Sequence, residues 1–242
     1  MRFFPTASSL LVSICIGAVC VATATAAEPR YATQEIEGWT VHVDLQLLDA
    51  QKLQTQQALD LMRQQLRFIT ETVPAKHLPA LRKVPLWISP QYKGVGARAE
   101  YHPSKKWLEE NGRNPEMARG IEFTNVSIFE AEVRRMPVFV LHELAHAYHD
   151  QVLGFDQQPI RKQYERTRDS GSYDMVERHN GKIEKAYAMT DHKEYFAEST
   201  EAFFGQNDFF PFNSQELKRH DPGMYALLEQ VWGRRSSSAT GR

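Results

Sequence analysis

Two histidines and the glutamate beside them have the spacing of a catalytic metal site, in which the histidines bind the ion and the glutamate acts on water. The sequence HELAH begins at His142 and ends at His146, an H-E-x-x-H motif. Residues four positions apart project from the same face of a helix, so the two imidazole rings can offer nitrogens to one Zn²⁺. Glu143 lies beside them, where its carboxylate can act as a general base toward water without binding the metal. Pro137 suits the first turn of such a helix, which we predict over roughly 137–152.

A catalytic zinc site needs a third protein ligand, and a second segment rich in glutamate can supply it. The predicted helix 192–204 carries Glu194, Glu198 and Glu201 on one stripe, among aromatic and small residues that indicate a buried helix. Buried carboxylates require a partner or a metal, which argues against a merely solvated acidic face. We predict Glu194 as the third ligand, with Glu198 and then His192 as alternatives. We also predict that Glu198 accepts a hydrogen bond from a ligand histidine.

The two motifs together resemble those of the gluzincin metallopeptidases, in particular the zinc-binding catalytic domain of the lethal-factor-like family, named after the anthrax toxin lethal factor. The run EYFAE starts at Glu194, and Tyr187 stands seven residues earlier, where the family has a tyrosine that points at the active site. The resemblance covers mainly 137–205 and implies a zincin-like fold. It also implies that His142, His146 and Glu194 are the zinc ligands. In the same comparison, Glu143 is the general base and Tyr187 stabilises the oxyanion. The metzincin class is excluded, because Val152 stands where that class has a histidine.

These residues predict a zinc metalloendopeptidase acting on a peptide or protein substrate. One zinc ion would activate water and polarise the scissile carbonyl, Glu143 would carry the proton, and Tyr187 would stabilise the oxyanion. The predicted strand over 121–125 would pair with an extended substrate along its edge. Two alternatives stay open. One is a zinc-binding envelope or binding protein without turnover, which would not need Glu143, and the other is a zinc amidase acting on cell-wall peptides.

Composition and charge limit the partners of the chain. Its 242 residues include 29 basic and 30 acidic side chains without long blocks of one sign, which argues against a nucleic-acid-binding face. Segment 1–27 combines Arg2, an apolar run over 10–21 and a run of small residues, which predicts a signal peptide and a secreted or periplasmic protein. Both cysteines of the chain lie in this segment, so cysteine ligands are excluded from the mature protein. No later run is long enough to span a membrane, so we expect no stable membrane insertion.

The rest of the sequence predicts one α+β domain over 28–233, followed by a disordered tail over 234–242. Alternating apolar residues over 39–47 indicate a strand, and an apolar stripe over 59–73 indicates a helix. Further predicted elements are short strands over roughly 84–88, 97–103 and 121–125, and helices over roughly 137–152, 158–168, 192–204 and 221–232. This order predicts a small N-terminal mixed sheet, an active-site helix with the H-E-x-x-H motif and a mostly helical C-terminal part. We expect a monomer.

Overall fold

The structure is a computed structural model that describes residues 30–233. It has an α+β fold, 55% helical, in which a small mixed sheet at the N-terminal end is combined with helices. This part of the prediction from the sequence is confirmed. The predicted signal peptide over 1–27, with both cysteines, and the predicted tail over 234–242 lie outside the described residues.

Five short strands form the sheet, and their order differs from their order in the chain. The strands are β1 (Tyr31–Ile36), β2 (Trp39–Asp44), β3 (Leu86–Ile88), β4 (Ala99–Tyr101) and β5 (Ile121–Phe123). Across the sheet they follow the order β1-β2-β3-β5-β4. The three central strands run parallel, whereas β1 and β4 are antiparallel to their neighbours. Parallel strands are covered on both faces, which explains why every residue of β3 and β5 is buried.

The prediction that the strand over 121–125 has a free edge was wrong. Strand β5 pairs with β3 on one side and with β4 on the other. The edge on that side belongs to β4, the last strand in the order. Strand order depends on long-range pairing, and the apolar pattern of a three-residue strand carries no information about it.

The strand predicted over 39–47 ends earlier, at Asp44, because this residue caps a helix. Its carboxylate accepts a hydrogen bond from the backbone N–H of Gln46, and helix α1 (Leu45–Ala50) follows directly. A capping aspartate stabilises the first turn of a helix by satisfying a free backbone donor. The apolar side chains at 45–47, which looked like a continued strand, therefore belong to a helix.

The remaining elements between residues 30 and 233 are mostly helices. They are α2 (Lys52–Thr72), α3 (Leu78–Leu81), α4 (Lys105–Glu110), α5 (Phe129–Arg135), α6 (Phe139–Tyr148), α7 (Gln158–Ser170), α8 (His192–Phe204), α9 (Ser214–His220) and α10 (Pro222–Trp232). A hairpin of β6 (Val176–Glu177) and β7 (Ile183–Glu184) stands between α7 and α8. Helix α2 begins before its predicted start at 59, because Thr55 and Ala58 extend its buried face.

Helix α6 lies between the sheet and the other helices. It contacts β4 and β5 on one side and α2 and α8 on the other. Leu141, Leu144 and Ala145 are fully buried, so the apolar face of this helix anchors it in the core. No helix between residues 30 and 233 is long and apolar enough to cross a membrane.

Candidate metal centre

Two helices bring the predicted ligands together. Helix α6 carries His142 and His146, and α8 carries Glu194 in its first turn. Asp191 is the N-cap of α8, and its carboxylate accepts hydrogen bonds from the backbone N–H groups of Lys193 and Glu194. The cap fixes where α8 begins, and thereby fixes the position of Glu194 relative to the two histidines.

Three ligand atoms converge at the point where α6 and α8 face each other. His142 Nε2 lies 3.0 Å from His146 Nε2 and 3.2 Å from Glu194 Oε2. His146 Nε2 lies 3.3 Å from the same carboxylate oxygen. The three residues therefore form a largely buried grouping that could hold a metal ion.

The hydrogen-bond partner of the first histidine is Glu201, not Glu198 as predicted. Glu201 Oε1 accepts a hydrogen bond from His142 Nδ1 at 2.7 Å, whereas Glu198 Oε1 lies 3.9 Å from that nitrogen. A proton on Nδ1 leaves the lone pair of Nε2 free for a metal. At about 100° per residue, a position seven after Glu194 lies about 20° from it around the helix, and a position four after lies about 40° away. Glu198 and Glu201 both lie on the predicted stripe, and their spacing from Glu194 did not show which of them would accept the hydrogen bond from His142.

Glu198 and Glu201 lie side by side in the protein interior, and burial governs their protonation. Both carboxyl groups are essentially inaccessible to solvent. Burial raises the pKa of Glu198 well above its usual value, and the nearby charge of Glu201 adds to the increase. Both effects favour the neutral acid form of Glu198, which lets two acidic side chains share one interior position.

The electrostatic field at the grouping favours a positive charge. Burial disfavours a protonated His142, but Glu194 and Glu201 more than compensate and raise the pKa of this imidazole well above its usual value. A position that stabilises a proton in this way also favours a bound cation. The same histidines lower the pKa of Glu194 although its burial acts in the opposite direction, so this carboxyl group is ionised.

Glu143 stands beside the grouping and is held by the edge strand of the sheet. Its Oε2 accepts a hydrogen bond of 2.9 Å from the backbone N–H of Tyr101 in β4. Burial raises the pKa of Glu143, while the charges of His142 and His146 oppose the increase. A partly buried carboxylate with a raised pKa and one oxygen already bonded is suited to exchanging a proton through the other oxygen.

Tyr187 lies on a one-turn helix over Tyr187–Met189, immediately before α8. Its side chain is half exposed in the cleft, 49% accessible, so it is not a core tyrosine. Burial of the other half, followed by the negative charge of Glu194, raises the pKa of Tyr187 to about 12. The hydroxyl therefore keeps its proton at neutral pH and can donate a hydrogen bond.

All five predicted residues line one cleft of about 930 Å³. One wall comes from β4 and the other from the β6–β7 hairpin and the segment that precedes α8. His149, three residues after His146, lies in the core against Phe155 and Phe196, and burial lowers its pKa to about 3. The roles of Tyr101 and Glu201 were missed, because one is a backbone contact and the other depends on helix rotation.

Comparisons of this chain with protein-family models, with curated proteins and with solved structures found no match. What the protein does must therefore be inferred from the chemistry of the residues in its cleft.

Proposed function

We propose that the protein is an exported zinc metallopeptidase of zincin-like fold that hydrolyses peptide bonds in a peptide or protein substrate. The observation that carries the proposal is the ligand geometry. Zinc bonds of about 2.0–2.1 Å in a tetrahedron place ligand atoms about 3.3 Å apart. The three ligand atoms here are separated by 3.0, 3.2 and 3.3 Å. Two imidazole nitrogens and one carboxylate oxygen form a donor set used by catalytic zinc sites.

The residues around His142, His146 and Glu194 suit the reaction. When bound there, Zn²⁺ supplies Lewis acidity toward a substrate carbonyl and toward water. Glu143 takes a proton from the attacking water and passes it to the leaving amine. The Tyr101 N–H holds one oxygen of this carboxylate, so the other oxygen is oriented for the transfer.

The Tyr187 hydroxyl donates a hydrogen bond to the oxygen that becomes negative when the carbonyl is attacked. Its raised pKa, about 12, ensures that the hydroxyl is protonated near neutral pH. A donor aimed at a developing oxyanion stabilises the transition state more than the substrate.

The free edge of β4 gives an extended substrate a place to bind. Arg98 C=O accepts from Thr124 N–H, and His102 N–H donates to Gly120 C=O, so these alternate residues are paired with the β5 side. Glu100, opposite Glu122, faces β5 in the same way, so the backbone groups of Ala99 and Tyr101 face the free edge, where Tyr101 N–H donates to Glu143. A peptide that adds to this edge passes directly beside the general base.

A binding protein without turnover is a weaker explanation, because binding alone does not require the Glu143 carboxylate that is held beside the ligands. An amidase for cell-wall peptides would use the same chemistry and differs only in substrate. The export proposal rests on the apolar and small residues of 1–27. The near balance of basic and acidic residues supports a protein that acts on peptides rather than on nucleic acid.

The test is hydrolysis of a peptide library by the zinc-loaded protein, with and without a chelator. We expect cleavage that the chelator abolishes and that zinc restores. The matched variant is Glu143→Gln, which keeps the shape of the side chain but cannot accept the proton. It should bind a full equivalent of zinc and lose on the order of 10²–10⁴ in rate. Wild-type rates in a zinc-loaded Glu143→Gln protein would contradict the mechanism, and cleavage of cell-wall peptides alone would favour the amidase.

A further inference from the structure

A cluster of charged side chains forms part of the cleft beyond the metal centre. Asp208, which is 2% exposed, accepts hydrogen bonds from Arg135 Nη1 at 3.1 Å and from Arg178 Nη2 at 3.3 Å and Nε at 3.4 Å. Arg135 also donates to Glu132, and Arg178 also donates to Glu184. We call these five residues the guanidinium cluster. All five line the cleft that holds the ligand residues.

The two guanidinium groups are fixed in place and keep unused donors. Each guanidinium has five N–H groups, and three of them are used in each arginine by the bonds described above. Two N–H groups of Arg135 and two of Arg178 therefore have no hydrogen-bond partner among residues 30–233. The side chains are 33% and 28% exposed, respectively, so the cleft side of each is open. The Arg178 guanidinium also stacks on the Phe209 ring, 4.8 Å from its centroid, which restricts its motion further.

The charges of the cluster do not favour a charged ligand. Two guanidinium groups face three carboxylates, those of Asp208, Glu132 and Glu184. His179 Nδ1 lies 3.7 Å from Asp208, and even a protonated His179 would only bring the cluster to neutrality. A further carboxylate would meet excess negative charge, and an ammonium group, which has no acceptor, could not pair with the N–H groups that the arginines leave free.

A carboxamide is complementary to this surface. Its carbonyl oxygen accepts hydrogen bonds from the free guanidinium N–H groups, and its NH₂ group donates to carboxylate oxygens such as those of Glu132. It carries no charge. Met136 and Phe139 also line the cleft and offer apolar contact to the stem of such a side chain. Phe139 stands one helical turn before His142, so this surface is close to the metal centre.

We propose that the guanidinium cluster is a specificity subsite that binds the carboxamide of a glutamine or asparagine residue of the substrate, close to the bond that is cut. This inference rests on the proposed peptidase function and adds the class of substrate side chain. A purely structural role for the cluster would affect folding but not the choice between peptides.

The experiment compares peptides that differ at a single position, with Gln, Glu, Leu or Lys placed in turn at each residue flanking the cleavage site. Mass spectrometry of the products defines that site. At one position we expect kcat/KM for Gln to exceed that for Leu, Glu and Lys by on the order of tenfold to a hundredfold, the effect of hydrogen bonds to charged groups. The affinities of the Gln and Leu peptides for the zinc-loaded Glu143→Gln protein should differ in the same direction.

The arginine variants test whether the cluster causes the preference. Arg135→Lys and Arg178→Lys keep the positive charge that Asp208 needs but lose the planar fork of donors. We expect the Gln-to-Leu ratio to fall to about one in both, in proteins whose thermal unfolding shows that they are folded. Arg161→Lys, the same change in an ion pair with Asp156 outside the cleft, is the control and should leave the ratio unchanged.

The outcomes separate the two proposals. Cleavage without a preference for Gln, or with a preference for Glu or Leu, would overturn the subsite, as would a preference that survives both cluster variants. If no peptide is cleaved, the peptidase proposal fails, and the binding measurement alone decides the subsite. Tighter binding of the Gln peptide would then support it, and equal affinities would overturn it.

Discussion

A single substitution can distinguish a transition-state role of Tyr187 from a packing role, because only the hydroxyl group serves the first role. The Tyr187→Phe change keeps the ring and removes the hydroxyl whose pKa is raised to about 12. We expect kcat to fall on the order of 10²–10³, the effect of losing one oxyanion donor. KM and zinc content should change little, since the lost bond forms only in the transition state. Steady-state kinetics and metal analysis provide the test, and an unchanged kcat would exclude the role.

A second prediction about a single residue concerns Glu201 and the affinity of the site for zinc. Glu201→Gln removes the carboxylate that accepts the hydrogen bond from His142 at 2.7 Å, and such losses weaken metal binding by about 10-fold to 100-fold. Glu198→Gln is the matched control, because its oxygen lies 3.9 Å from the same nitrogen. The measurement is zinc affinity by competition with a chromophoric chelator. Equal losses in both variants, or a larger loss in Glu198→Gln, would assign the positioning role differently.

Local sequence patterns were sufficient to identify three residues that the structure brings together. His142, His146 and Glu194 meet in the structure, because a four-residue spacing fixes two side chains on one helix face and burial restricts the third. The choice between Glu198 and Glu201 was not accessible, since it depends on how α8 rotates against α6. A difference of tens of degrees in helix orientation decides which carboxylate reaches the imidazole.

At the level of elements, the position of β4 determines how Glu143, the proposed general base, is held. A buried network fixes this strand beside β5: Glu122 accepts hydrogen bonds from Tyr92, His102 and Arg113. None of this was predicted, because the network joins residues distant in sequence and β4 itself is only three residues long. The sequence indicated that a strand exists near 97–103, but only the pairing shows that it forms the edge.

This network predicts a specific loss of stability in acid. Burial alone would raise the pKa of Glu122, but hydrogen bonds from His102 and Tyr92 outweigh it and lower the pKa to about 2. A carboxyl group with a lowered pKa in the folded state stabilises the fold above its unfolded pKa of about 4.3 and loses that contribution as pH falls toward 2. The contribution is about 3 kcal/mol, at roughly 1.4 kcal/mol per pKa unit.

The measurement is the free energy of unfolding by urea between pH 6 and about 2.5, in the wild type and in Glu122→Gln. The destabilisation caused by the substitution should be largest above pH 5 and should shrink as pH falls. Glu109→Gln, a change at an exposed helix position, should show no such trend. A pH-independent difference between wild type and Glu122→Gln would show that this carboxyl group does not titrate as described.

At the scale of the whole molecule, the candidate metal centre lies between α8, which is anchored to the C-terminal helices, and α6, which packs on the sheet. The N-terminal part of α8 is anchored by Asp221, which caps α10 and accepts hydrogen bonds from Thr167 of α7 and Tyr195 of α8. Glu194, the residue before Tyr195, faces His142 and His146 of α6. An ion at this point joins the helical half of the protein to the helix that packs on the sheet, so metal binding and global stability should be coupled.

Zinc should therefore raise the melting temperature of the protein, and removing one ligand should abolish the effect. A ligand at a thousand times its dissociation constant stabilises the folded state by about 4 kcal/mol. For a domain of this size, that corresponds to an increase of about 10 °C or slightly more. His146→Ala should bind little zinc and show almost no increase, since it leaves only two of the three converging ligand atoms. Thermal unfolding with zinc, with Mg²⁺ as a control and after treatment with a chelator measures the coupling directly. Equal melting temperatures with and without zinc in the wild type, or full zinc occupancy in His146→Ala, would mean that the site between α6 and α8 does not bind the metal.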